Sequence, residues 1–213
     1  VLLLLLALAA NDGGIREARL EAAIDEGPDV AVRLAFRVEP STGETVSFSA
    51  LEIDGVGVED LAASTSGTPI SVKLMPRIGP KREGSILLPQ GTDAFELHYL
   101  VRGGAERTEG GLRVRLPCVI LDRKLAETRT GLFSSSVALP QGMQVVDSYP
   151  AQFLAGEEGA YQWELPLVPA FLSFRASSEA ELFTRTRLTT LAVVVLFLSV
   201  GAVAVHRARS IRP

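Results

Sequence analysis

The chain alternates between apolar and polar positions. Val30, Val32, Leu34, Phe36 and Val38 are separated one by one by Ala31, Arg33, Ala35 and Arg37, a period of two that gives a strand one apolar and one wet face. The pattern returns at Phe95, Leu97, Tyr99 and Val101, at Leu112, Val114 and Leu116, and at Tyr161, Trp163 and Leu165. Repeated one-sided strands are the signature of antiparallel sheets with one solvated face. In Val46 to Ile53 the apolar parity changes between Phe48 and Leu51, which predicts a bulge or a strand that passes between sheets.

Breakers fall between these runs. Leu-Pro closes an apolar run at Leu88-Pro89, Leu116-Pro117, Leu139-Pro140 and Leu165-Pro166, and because proline has no N–H to give to a ladder, each predicts a strand exit. Pro40 to Gly43, Gly79 to Gly84 and Gln90 to Thr92 read as turns, and Gly103-Gly104 through Gly110-Gly111 as a long polar hairpin loop. Helical periodicity is scarce here: Ile15 to Asp25 and Asp122 to Arg129 predict short helices at most. The expected fold is all-β, an antiparallel β-sandwich of roughly eight to ten strands over residues 28–176, preceded by a linker at 11–27.

The patterning changes completely near the C-terminus. Leu188 to Val205 contains no formal charge and is closed by His206, Arg207, Arg209 and Arg212. As a helix it would reach ~27 Å, close to the ~30 Å hydrocarbon core of a bilayer. The stretch 188–205 therefore predicts one transmembrane α-helix, with 177–187 as a juxtamembrane linker and 206–213 as a basic tail. All 25 Asp and Glu precede the span, whereas the tail holds three Arg and no acid, so the positive-inside rule puts the tail in the cytoplasm and the sandwich across the membrane. His206, Arg207, Arg209 and Arg212 are the topology anchors. Within the span, Ala192, Ser199 and Ala202 recur near helical spacing and suit close packing against a second helix. Residues 1–10, with five consecutive leucines ending in Ala7-Leu8-Ala9-Ala10, resemble the apolar core and cleavage site of a secretory signal peptide. Low Lys with abundant Arg, Ala, Val, Leu and Gly points to a bacterial source, hence to an inner membrane with the sandwich in the periplasm.

Candidate chemistry is sparse. The chain has two histidines, His98 and His206, and one cysteine, Cys118, so it forms no intrachain disulfide and lacks the ligands for a structural zinc site. Cys118 and His98 stand on separate strands; a buried thiol and a surface imidazole are expected in preference to a catalytic pair. Asp54-Gly55-Val56-Gly57-Val58-Glu59-Asp60 is the nearest approach to a calcium loop but lacks alternating acids, and reads as an acidic turn. Ser134-Ser135-Ser136 lacks the glycines of a nucleophile elbow and reads as the polar edge of a strand. Arg113, Arg115, Arg123, Lys124 and Arg129 form the main basic concentration before the tail and read as a wet sheet face, since an acidic domain disfavours nucleic acid. No catalytic, cofactor-binding or metal-ligating residue is expected. Trp163 is expected in the core, with an interface anchor as the alternative.

These features predict a non-catalytic, single-pass accessory or scaffolding subunit. Its sandwich and helix would dock on a larger integral membrane complex, energy-transducing or transporting. The alternative is a membrane-anchored ligand-binding or sensory ectodomain; an envelope enzyme working with dispersed carboxylates ranks third.

Overall fold

The computed structural model describes residues 14–178 apart from 26, 54, 78, 110, 127–130, 152 and 156–159, together with 193 and 195. In chain order its strands are β1 (Ile15–Ala23), β2 (Val30–Val38), β3 (Glu44–Leu51), β4 (Gly57–Thr65), β5 (Thr68–Ile70), β6 (Val72–Leu74), β7 (Lys81–Leu88) and β8 (Ala94–Arg102). Then follow β9 (Ala105–Thr108), β10 (Gly111–Pro117), β11 (Ile120–Leu121), β12 (Phe133–Ala138), β13 (Gln144–Tyr149), β14 (Leu154–Ala155), β15 (Ala160–Leu165) and β16 (Phe171–Ser177).

They form three sheets. The largest has eight strands in the order β14-β15-β12-β1-β2-β8-β4-β5; the other two have four each, β13-β16-β10-β9 and β11-β3-β7-β6. β1 runs parallel to β12 and antiparallel to β2, and among the described residues every other strand pair is antiparallel. The alternation in the sequence is the alternation in burial. On β2, Val30, Val32, Leu34, Phe36 and Val38 point inward while Arg33 and Arg37 face solvent.

The inward faces of all three sheets share one apolar core. Phe36 stacks on Phe95 across β2 and β8 at 5.3 Å between ring centroids. Trp163, on β15, stacks at 5.5 Å on Phe174, which belongs to the β16 sheet. The Tyr99 hydroxyl on β8 donates to the Pro117 carbonyl at the end of β10, 2.9 Å away, satisfying a buried polar group that would otherwise cost about 1–3 kcal/mol.

Four strand exits fall where Leu-Pro predicted them: β7 ends at Leu88, β10 at Pro117, β12 at Ala138 and β15 at Leu165. Other expectations are corrected. Ile15–Ala23 is not a short helix inside a linker but a strand paired on both sides, with Ala18, Leu20 and Ala22 inward and Arg19 and Glu21 outward. Its Ala, Glu and Arg are good helix formers, and pairing with two neighbours overrides that local preference. Near Asp122, Leu125 makes an isolated parallel bridge to Ile15 instead of starting a helix. β3 keeps an unbroken register with β7, because the small Ala50 holds the inward parity that Leu51 suggested was lost. The bulges lie elsewhere, at Ile15/Glu17, Glu59/Ala62 and Val145/Asp147. The Gly103 to Gly111 segment is not a plain hairpin loop. At Gly103 (φ +63°) and Gly104 the chain leaves the eight-stranded sheet and enters the β16 sheet through β9.

Among the described residues no helix is long and apolar enough to cross a membrane. Residues 1–10 and 206–213, and the expected span apart from Val193 and Val195, lie outside the described residues.

Candidate functional site

The outward side chains of the eight-stranded sheet are ordered by strand register. Ser136 on β12, Glu21 on β1, Arg33 on β2 and His98 on β8 occupy one transverse row. In the adjacent row stand Ser134, Arg19, Ala35 and Glu96. Arg33 joins the two rows. Its Nη1 donates to Glu21 at 3.1 Å, and its Nε and Nη2 donate to the two oxygens of Glu96 at 3.0 and 2.5 Å. Arg19 Nε lies 3.1 Å from Glu21, and His98 Nε2 lies 3.3 Å from Glu96. The hydrogen bond from Arg33 holds the Glu96 carboxyl below the usual carboxylate range, and that bond in turn raises the Arg33 guanidinium.

Beyond this charged row the next outward row is apolar, with Ala138 on β12, Ala23 on β1, Ala31 on β2 and Leu100 on β8. Ala23, Ala31 and Ala138 floor a trough of about 580 Å³, with Arg33 and His98 on one wall and Asp60 on the rim. Asp60 sits in the β4 bulge with φ +50°, which turns its side chain out of the regular pleat. Arg33 and Glu21 satisfy one another, so the trough offers an apolar floor with a paired guanidinium on its wall and the Asp60 carboxylate on its rim. Such a surface can hold an amphipathic small molecule. Ser136 and His98, which both line it, stand on β12 and β8, three strand spacings or ~14 Å apart.

The other candidates resolve individually. Cys118 is fully buried and its thiol is pushed up to about 12 by desolvation; burial also raises the neighbouring Tyr99 phenol well above its usual value. His98 follows an inward-facing Leu97 and precedes the inward-facing Tyr99, so it projects from the opposite side of the sheet to the thiol. A Cys–His pair is ruled out by strand geometry. In the acidic turn, the buried Glu52 carboxylate accepts from the Val58 N–H at 2.7 Å and faces Arg77 Nη2 at 2.6 Å. It staples the turn closed, a role that sequence reading missed because Glu52 lies just outside the Asp54–Asp60 segment. Among the described residues no group of three or more His, Cys, Asp and Glu is placed to hold a metal ion.

Ser134 and Ser136 face outward, whereas Ser135 is buried and its hydroxyl has no hydrogen-bond partner among the described residues. The basic concentration is dispersed by the fold. Arg113 and Arg115 lie on β10, Arg115 bonding to Glu106 at 3.1 Å, while Arg123 is buried beside β3 in an ion pair with Glu44. Trp163 is buried, with Phe153 centred 5.9 Å away and its indole N–H donating to the Pro150 carbonyl at 3.2 Å. It occupies the core.

No protein-family model matches the chain, and no curated protein matches it. Solved structures that resemble it include leukotriene A4 hydrolase from Saccharomyces cerevisiae, at 13% identity and a TM-score of 0.47, covering 78% of this chain and 29% of that one. An aminopeptidase N family protein from Idiomarina loihiensis matches at 13% identity and 0.46, over 73% and 29%. An M1 zinc metallopeptidase from Deinococcus radiodurans matches at 14% identity and 0.40, over 78% and 42%. This chain thus spans less than half the length of each, and likeness at this level carries no argument about its activity.

The remaining sequence candidates, Ala192, Ser199, Ala202, His206, Arg207, Arg209 and Arg212, lie outside the described residues. Val193 and Val195, between the first two of them, have exposed side chains.

Proposed function

We propose that the three sheets act as an antiparallel β-sandwich tethered by the apolar segment 188–205, and that the chain is a non-catalytic, single-pass accessory or scaffolding subunit of a larger membrane complex. The observation that carries this reading is the position of β16. The last described strand is not an edge: it is hydrogen-bonded on one side to β10 and on the other to β13, and it ends at Ser177, roughly ten residues before the uncharged stretch. A pull on the tether is thereby met by the whole sheet. In this reading the domain lies in a bacterial periplasm and the tail in the cytoplasm.

The trough over Ala23, Ala31 and Ala138 favours a second reading, an anchored ligand-binding ectodomain. Extraction of the tagged full chain in mild detergent, native separation and mass spectrometry of comigrating proteins decides between them. A stoichiometric membrane complex is the expected result. A lone species whose melting temperature rises with an amphipathic small molecule would transfer the assignment to the second reading, and recovery in the soluble fraction would remove the anchor from both.

A further inference from the structure

The outward face of the β11-β3-β7-β6 sheet has a composition unlike that of the trough. Register places Ile120, Ser49, Glu83 and Met75 in one transverse row, from the β11 edge to the β6 edge. The next row reads Asp122, Ser47, Ser85 and Lys73. A third brings Thr45 beside Leu87. Leu87, Met75 and Ile120 are exposed by 53%, 42% and 36%, and the serines between them leave a groove of about 370 Å³. Each row ends in matched partners: two apolar side chains in the first, an acid and a base in the second.

We infer that this face docks on the same face of a second copy of the chain. A two-fold axis lying between the faces and parallel to the strands exchanges the β11 edge with the β6 edge. It brings Asp122 of one copy onto Lys73 of the other, Ile120 onto Met75, Ser49 onto Glu83 and Thr45 onto Leu87, each contact occurring twice. An isologous interface requires such self-complementarity, and a face carrying one sign of charge could not supply it. Four strands about 4.8 Å apart and three rows deep bury only ~400 Å² per copy, so the contact is weak in free solution and gains from confinement of both copies. The pairing scheme does not depend on the accessory-subunit reading.

The test is disulfide trapping in the full chain, in whichever cell fraction holds it. Cys118, fully buried with its thiol pushed up to about 12, leaves the background clean. Within one copy, positions 73 and 122 are three strand spacings apart, ~14 Å, beyond the ~7 Å Cα reach of a disulfide. Oxidation of the Asp122→Cys/Lys73→Cys variant is expected to give a covalent homodimer, while each single variant stays monomeric. With the trapping pair moved to Ile120→Cys/Met75→Cys, Asp122→Lys should lower the dimer yield about tenfold and Lys73→Asp added to it should restore the yield. Equal dimer from the single variants would mean random collision and would overturn the inference. So would absence of dimer from the double variant, adducts with a different protein only, or failure of the charge swap to restore the yield.

Discussion

Two outward sheet faces built on the same alternation present opposite chemistry. On the eight-stranded sheet, Arg19, Glu21, Arg33, Glu96 and His98 form a ladder of alternating sign in which each charge has its neighbour. On the β3 sheet, the equivalent positions are Ser47, Ser49, Ser85, Thr45, Leu87 and Ile120, with Glu83 among them on an inner strand and Asp122 and Lys73 at the two edges. The first face is satisfied within its own chain and repels a dry partner, because covering it would strip water from five charged or titratable groups. Covering the second strips water from Glu83, Asp122 and Lys73, and the two-fold pairing offsets this by setting Asp122 on Lys73 and the Ser49 hydroxyl on Glu83. Cross-strand pairing stabilises a sheet either way, so the chemistry of the outward set, and not the strand pattern, separates a solvated face from a docking face.

The comparison rests on a common core, and Trp163→Ala tests that first. Emptying the site between Phe153 and Phe174 should cost about 3–5 kcal/mol and unprotect the amides of both faces together in hydrogen exchange. Loss of protection confined to one sheet would mean that the faces stand on separate cores. Gly84→Val should press on the part of the shared core that lies beneath the docking face. A Cβ there would lie 2.5 Å from Phe48 Cζ and 2.7 Å from the Lys73 carbonyl oxygen, so about 1–3 kcal/mol of stability should disappear in urea denaturation. Tyr99→Phe, which leaves the Pro117 carbonyl without its donor, should cost about 1 kcal/mol and leave both outward faces unchanged.

The charged face has a pH signature. Glu96 is depressed by Arg33, so its folded value lies below its unfolded value, and the stabilisation is present above the ordinary value of 4.5 and is lost as pH falls through the folded one. Glu96→Gln should therefore destabilise at pH 7 by less than ~1 kcal/mol, since the pair is solvent-screened, and the gap from the parent chain should close in acid. A gap that persists at low pH would assign the loss to packing. Smallest in stability is Leu87→Ser on the opposite face, expected within about 0.5 kcal/mol of the parent yet lowering the yield of trapped dimer.

How much of this was legible depends on the residues. β2, β8, β10 and β15 were readable because their large inward side chains repeat at every second position, and Leu-Pro marked four exits. β1 was not, because Ala18 and Ala22 carry little hydrophobic signal and its companions favour helix. At the candidate sites, the sequence identified Cys118 as inert and His98 as a surface group, but the Arg33 ladder joins β1, β2 and β8, and the Asp122–Ser47–Ser85–Lys73 row joins residues up to 75 positions apart. Neither leaves a local pattern.

The sequence by itself determined that the described part is β, which side of each strong strand is buried, and where proline ends several strands. Those properties follow from periods of two and from a missing N–H, and both are local. Only the tertiary structure decided that β1 lies parallel to β12, that the chain divides into three sheets, and which outward residues share a row. Strand order and register are set by inward side chains packing across sheets, as Trp163 does on Phe174, and by long-range ladders between segments that carry no mark of their partners.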